Sequence, residues 1–237
     1  MDKINLLTFD ASDAYLKIAL YIDGKISTLS VNNNSRHIES LVPSVKKALE
    51  ETGGSVDKIQ KILVCVGPGS FTGIRIGIST AEAFGYSLKK EVYGFSVFDV
   101  YNYLYKDVND DTIVIPIIDA KKNRYYCSFL NGRSGYKILD ISKEEIARII
   151  LKDFGDKRII FAGKDFSAIG DYLSSAGIKY EYKNQESYSE LEMLDFSFNF
   201  LKEGDIKEPE PIYLRKSEAE IALLNRNLAL QADKGKI

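Results

Sequence analysis

The chain carries the same short plan twice. An apolar run over residues 4–9 ends at Asp10-Ala11, a second run covers 14–22, and Asp23-Gly24 then gives a strong hairpin signal. Further along, an apolar run over 112–118 ends at Asp119-Ala120, a run over 124–130 follows, and Asn131-Gly132 turns toward 136–139. Each copy sets an acidic residue at the end of its first strand and a glycine hairpin after its second, and helical periodicity follows both. The expected architecture is therefore two related α/β domains facing one another. Pro116 conflicts with this plan. It interrupts the strand that the repeat makes central, and a proline there implies a sheet edge or a bulge.

The polar stretch Lys106-Asp107-Val108-Asn109-Asp110-Asp111 is the natural divide. It gives a first domain over 1–106 and a second over 107–216, with a last helix over about 217–232 packing back across the boundary. At 237 residues and 45% hydrophobic content, the chain can bury a substantial core. The formal net charge of −2 offers no positive field to hold nucleic acid by counterion release. No signal peptide and no apolar run of about eighteen residues is legible. Cys65 and Cys127 fall inside expected strands. A cytoplasmic protein with inert, buried thiols and no membrane contact follows.

Ile38, Leu41, Val42, Val45, Ala48 and Leu49 make one apolar helix face, with Asn34 or Ser35 as cap and Gly53-Gly54 as terminator. Ser96 with Asp99, Ser142 with Glu145, and Ser217 with Glu220 are spaced as capping boxes. Residues 158–163 and 178–182 read as strands around a helix near 166–175, and Leu191, Leu194, Phe198 and Leu201 mark a long amphipathic helix.

Between the two copies lies Gly67-Pro68-Gly69-Ser70-Phe71-Thr72-Gly73-Ile74-Arg75-Ile76-Gly77, after an apolar strand over 61–66. The Gly-Pro-Gly forces a turn, and Ser70 or Thr72 then caps a helix running to about Lys89. Backbone N–H groups gather at such a helix start and favour an anion. A phosphate loop of the Walker type is excluded, because Ile74 and Arg75 stand where its lysine and hydroxyl would be. The spacing of Gly67, Gly69 and Gly73 also departs from the dinucleotide fingerprint. Gly73, Gly77, Ala81 and Gly85 recur every four residues as a smooth stripe, while Arg75, Ser79, Glu82 and Tyr86 form a narrow polar one. A helix apolar on most sides must be covered on most sides. Either the smooth stripe meets a partner subunit beside the His37 helix, or both sides are covered within the monomer.

Asp10-Ala11-Ser12, His37-Ile38-Glu39-Ser40-Leu41-Val42-Pro43, the 67–77 segment, Asp119-Ala120-Lys121-Lys122 and Pro209-Glu210-Pro211-Ile212-Tyr213-Leu214-Arg215 together resemble the bacterial TsaB (YeaZ) family. The resemblance implies a duplicated fold of the actin, hexokinase and Hsp70 (ribonuclease H-like) kind, with mixed sheets and flanking helices. It also implies a non-catalytic role in threonylcarbamoyl modification of adenosine in tRNA, through dimerisation with the catalytic paralogue TsaD and association with the ATPase TsaE. A homodimer through the same helices is implied when the paralogue is absent. The interface residues expected from the smooth stripe and the neighbouring His37 helix are His37, Leu41, Gly73, Arg75, Gly77, Ala81 and Gly85.

The catalytic paralogue carries a His-x-x-x-His metal pair, where this chain has His37 and Leu41, and one imidazole opposite a leucine does not hold a metal by itself. Ala11 replaces the usual threonine of Asp-Thr-Ser, which removes a hydroxyl that could face a phosphate. The alternative function is a small ATPase or phosphotransferase binding ATP and magnesium through Asp10, Gly67, Gly69, Ser70 and Asp119. No Gly-x-Ser-x-Gly elbow supports a peptidase. Lys121, Lys122 and Arg124 make one of several small basic clusters, so tRNA is expected to be met only through the assembled complex.

Overall fold

The computed structural model describes residues 4–32, 37–132, 135–183, 187–204 and 207–215. The Asn34 or Ser35 cap, and the helix expected over 217–232 with its Ser217 and Glu220 pair, lie outside the described residues. So does the side chain of His37.

The first sheet comprises β1 (Leu6–Asp10), β2 (Tyr15–Ile22), β3 (Lys25–Asn32), β4 (Lys61–Cys65) and β5 (Glu91–Phe95), in the order β3-β2-β1-β4-β5. The second comprises β6 (Thr112–Asp119), β7 (Arg124–Cys127), β8 (Leu139–Ser142), β9 (Arg158–Ala162) and β10 (Glu181–Lys183), in the order β10-β9-β6-β7-β8. Aligning β6 with β1, β7 with β2, β8 with β3, β9 with β4 and β10 with β5 makes the two orders identical. Each central strand runs antiparallel to its hairpin neighbour and parallel to the strand that returns after a helix. The third strand of the second copy falls at Leu139–Ser142 rather than over 136–139, and it leads directly into a helix.

Pro116 sits in the central strand β6, neither at an edge nor in a bulge. It pairs with Ala162 on the parallel side. On the antiparallel side Ile117 faces Cys127, and Val114 faces Leu130, so the register is the same before and after the proline. Val114 and Leu130 exchange both backbone bonds at 2.8 Å, and in an antiparallel ladder the next such pair comes two residues on, at Pro116 and Ser128. The missing N–H therefore costs one rung without shifting the strand. Opposite it, Ser128 Oγ is buried with no hydrogen-bond partner among the described residues.

Helices α1 (His37–Thr52) and α2 (Phe71–Leu88) cover one face of the first sheet, where Leu7, Phe9, Ile18, Val64, Leu41, Val45, Ile74 and Ile78 form a common core. Gly53, with φ at +65°, ends α1 in the left-handed region that glycine adopts without strain. On the other face lie α3 (Val97–Leu104) and α6 (Glu190–Glu203), with Phe95, Phe98, Tyr101, Tyr188, Met193 and Phe196 packed together. Thus α6, inside the 107–216 span, covers the first sheet, and the Ser197 hydroxyl donates to Thr8 Oγ1 at 3.0 Å. Helices α4 (Lys143–Asp153) and α5 (Ser167–Ser175) pack on the second sheet. Ser96 with Asp99 and Ser142 with Glu145 both close reciprocal capping boxes. Among the described residues no helix is long and apolar enough to cross a membrane.

Candidate functional site

Between the two sheets, the turn after β1 meets the glycine loop before α2. Asp10, at the end of β1, is buried, and both of its carboxylate oxygens are engaged. The Ser12 backbone N–H donates to Oδ1 at 2.7 Å, and the Tyr188 hydroxyl donates to Oδ2 at 2.5 Å. Tyr188 is itself buried. Its ring lies 4.7 Å beneath the Lys17 ammonium and packs edge-on against Tyr101. Burial and then the Asp10 charge push the tyrosine well above the usual phenol range, so the hydroxyl stays a donor. Cys65, whose thiol donates to Ser12 Oγ at 3.6 Å, is pushed up by burial and by Asp10, which makes it an inert thiol.

The space beside Asp10 is small, and a second one of about 260 Å³, lined by Asp13, Lys17, Lys164 and Tyr188 among others, is still below the usual ligand-pocket size. A cavity of about 40 Å³ is lined by Asp10, Ser12, Asp13, Pro68, Tyr101 and Lys164, among others. Pockets that hold small-molecule ligands are typically about 300–1,000 Å³. Lys164, just after β9, forms an ion pair with Asp13 in the turn after β1, so a side chain from each half lines the cavity. Asp119 does not line this cavity. Burial raises its pKa, but hydrogen bonds from the Lys121 side chain (2.8 Å) and backbone (2.7 Å) outweigh that and hold its carboxyl below the ordinary value. Asp10 and Asp119, expected to converge on one nucleotide, thus have different surroundings.

The glycine loop faces inward. Ser70 caps α2, its side chain accepting from the Gly73 N–H at 3.2 Å, and its own N–H donates to Ser12 O at 2.7 Å. A Cβ at Gly69 would lie 2.3 Å from Ser12 O, and one at Gly73 only 2.0 Å from Ala11 O. Gly67, with φ at +104°, makes the turn itself. Gly69 and Gly73 therefore let the β1 turn and α2 approach one another, and two of the N–H groups available to a phosphate already have partners.

The smooth stripe is a correction to the sequence reading. Gly73, Gly77, Ala81 and Gly85 are all buried against the monomer's own strands: a Cβ at Gly77 would sit 3.4 Å from Val64, and one at Gly85 2.4 Å from Val92. Leu41 is buried in the same core. The outward face of α2 is instead Thr72, Arg75, Ser79, Glu82 and Tyr86, with Tyr86 90% exposed. On α1, which packs against α2, Ile38 is 73% and Val42 52% exposed. Arg75 lies 4.0 Å over the Phe71 ring, and its Nε–H donates to Tyr213 Oη at 2.9 Å.

Tyr213 belongs to a strap that joins both halves. Gly94 N–H donates to Lys207 O and Ile212 N–H to Val66 O, both at 2.9 Å. Arg215 then pairs with Asp140 and donates to Ala120 O at 3.0 Å. Sequence reasoning missed Lys17, Lys164 and Tyr188. For Tyr188 the only local signal is its place just before Ser189 and Glu192, which form a further capping box.

Comparison with known proteins gives this geometry a family. A family model described as TsaD: tRNA N6-adenosine threonylcarbamoyltransferase matches residues 31–223. The tRNA threonylcarbamoyladenosine biosynthesis protein TsaB of Bacillus subtilis strain 168 is 26% identical over 227 residues, covering 92% of this chain and 96% of that protein. The chain belongs to the TsaD family, among its TsaB (YeaZ) members. TsaB of Escherichia coli K12 is 23% identical over 224 residues, covering 91% of this chain and 96% of that protein. The solved structure of YeaZ from Pseudomonas aeruginosa matches with a TM-score of 0.69 at 20% identity, over 89% of this chain and all of that one. A second Pseudomonas aeruginosa structure, described as similar to peptidase YeaZ, gives 0.72 at 21% identity, over 90% of this chain and all of that one. The fold is that of the TsaB (YeaZ) proteins, two mixed sheets of the same strand order with flanking helices.

Proposed function

We propose that the chain is a non-catalytic subunit in tRNA threonylcarbamoyladenosine biosynthesis. It binds and activates a TsaD-like catalytic paralogue, works alongside a TsaE-like ATPase, and meets tRNA only through that assembly. The observation that carries this reading is the filled cleft. Asp10 is capped by Tyr188, and the adjoining cavity has room for a water or two but not a nucleotide. The exposed Ile38, Val42 and Tyr86 on α1 and α2 supply a face suited to a partner. The ATPase alternative would require Tyr188 to leave Asp10 and the Asp13–Lys164 contact to open. Purified chain mixed with the catalytic paralogue tests the reading. Formation of a complex and faster tRNA modification support it; no complex and an unchanged rate refute it.

A further inference from the structure

We propose that the space beside Lys17 binds a small phosphate-class oxyanion, held between the ammonium groups of Lys17 and Lys164. This goes beyond the proposed function and does not depend on it. Lys17, on β2, is only 6% exposed, and among the described residues it has neither an ion-pair nor a hydrogen-bond partner. The Tyr188 ring lies 4.7 Å from its ammonium. Asp10 is the residue opposite it in the β1–β2 register, but the Ser12 N–H and the Tyr188 hydroxyl already occupy both carboxylate oxygens. Lysines are almost never this buried without a paired anion, because the desolvated charge is costly. Next to Lys17 lies the space of about 260 Å³, which Lys164, Asp13, Tyr15 and Ser30 also line.

The lining selects the ligand. Lys164 spends one of its three N–H donors on Asp13, which leaves two. Tyr15 and Ser30 bring hydroxyls that have no partner among the described residues. Asp13 is the only carboxylate in the lining, and Lys164 already meets its charge. Two cations and two hydroxyls suit an anion with several acceptor oxygens, each able to take a charge-assisted hydrogen bond. The volume sets the size of that anion. It falls below the range of about 300–1,000 Å³ that holds larger ligands, so phosphate fits and a nucleoside triphosphate does not. No residue of the glycine loop lines the space. A bound ion joins β2 of the first half to the segment after β9 of the second, and so stabilises the folded chain.

Calorimetric titration of inorganic phosphate into the full chain, at constant ionic strength in a phosphate-free buffer, tests this. The wild type is expected to bind one phosphate per chain and to melt at a higher temperature when saturated. Lys17→Met, which removes the charge and keeps the side-chain length, should weaken binding about tenfold or more, and so should Lys164→Gln. Circular dichroism without phosphate checks that each variant is folded. Should Lys17→Met fail to fold, Lys164→Gln carries the test, because that side chain is about a third exposed. Acetate and ATP are titrated in parallel. No saturable phosphate binding, folded variants that bind like the wild type, acetate as tight as phosphate, or ATP tighter than phosphate would overturn the proposal. Capture of the paralogue by the same preparations separates the two claims. A chain that captures the paralogue but takes no phosphate loses this inference and keeps the proposed function, and phosphate binding without capture does the reverse.

Discussion

The Tyr188 hydroxyl donates to Asp10 Oδ2 at 2.5 Å across 178 residues of chain, and both groups are buried. The contact ties the start of α6 to the end of β1. The matching aspartate of the second copy, Asp119, takes its bonds from Lys121, two residues away. The same residue at the same strand end therefore serves two ends: in the first copy it anchors a distant helix, and in the second it shapes its own turn.

Tyr188→Phe leaves a buried carboxylate oxygen without its donor, at an expected cost of about 1–3 kcal/mol. Tyr188→Ala also opens a cavity and should cost about 3–5 kcal/mol. In a chain of this size each kcal/mol lowers the melting temperature by about 2–4 °C. Because the folded-state value of Tyr188 is raised from 10.0, this contribution should be complete below pH 10 and disappear as pH rises through the raised value. Thermal melts of wild type and Tyr188→Phe across that range measure both effects, and equal melting temperatures would contradict them.

Alanine substitutions should separate the glycines by their inner contacts. Gly73→Ala and Gly85→Ala would place a Cβ 2.0 Å from Ala11 O and 2.4 Å from Val92 Cγ2, and should destabilise by about 1–3 kcal/mol or more. Gly77→Ala meets Val64 at 3.4 Å, and the helix propensity gain of about 0.8–1 kcal/mol should make it neutral or stabilising. Denaturant midpoints decide this. A Gly77→Ala change that unfolds the chain would contradict the packing described.

The strap should loosen in acid. The Arg215 hydrogen bond, against an opposing burial effect and with help from Arg124, holds Asp140 below the ordinary 3.8. A depressed carboxylate stabilises fully above its unfolded value, and that stability is lost as pH falls through the lowered folded value. Wild type should therefore lose stability below about pH 4 faster than Asp140→Asn. Acid titrations followed by circular dichroism test it, and parallel curves would contradict it.

Much of this fold was legible because its signals are local. The repeat, the hairpin turns and the capping boxes at Ser96 and Ser142 depend on residues within a few positions of one another. What was not legible depends on distant partners. Periodicity places Gly73, Gly77 and Gly85 on one side of α2, but only the turn at Ala11 and Ser12, together with Val64 and Val92, shows that this side faces inward. Asp10 was recognisable as a strand-end carboxylate, but nothing near it announces Tyr188. Pro116 misled because the general rule against proline in central strands does not foresee a strand that keeps its register with one rung missing.

The most direct test is the rate of tRNA threonylcarbamoylation by the purified paralogue and ATPase as variants of this chain are titrated in. The wild type should raise the rate to saturation while giving none alone. Folded Asp10→Asn should still stimulate, because the proposed role asks no chemistry of the cleft, whereas Arg75→Glu should not. Loss of stimulation with Asp10→Asn but not with Arg75→Glu, or transfer by the chain alone, would contradict a non-catalytic docking subunit.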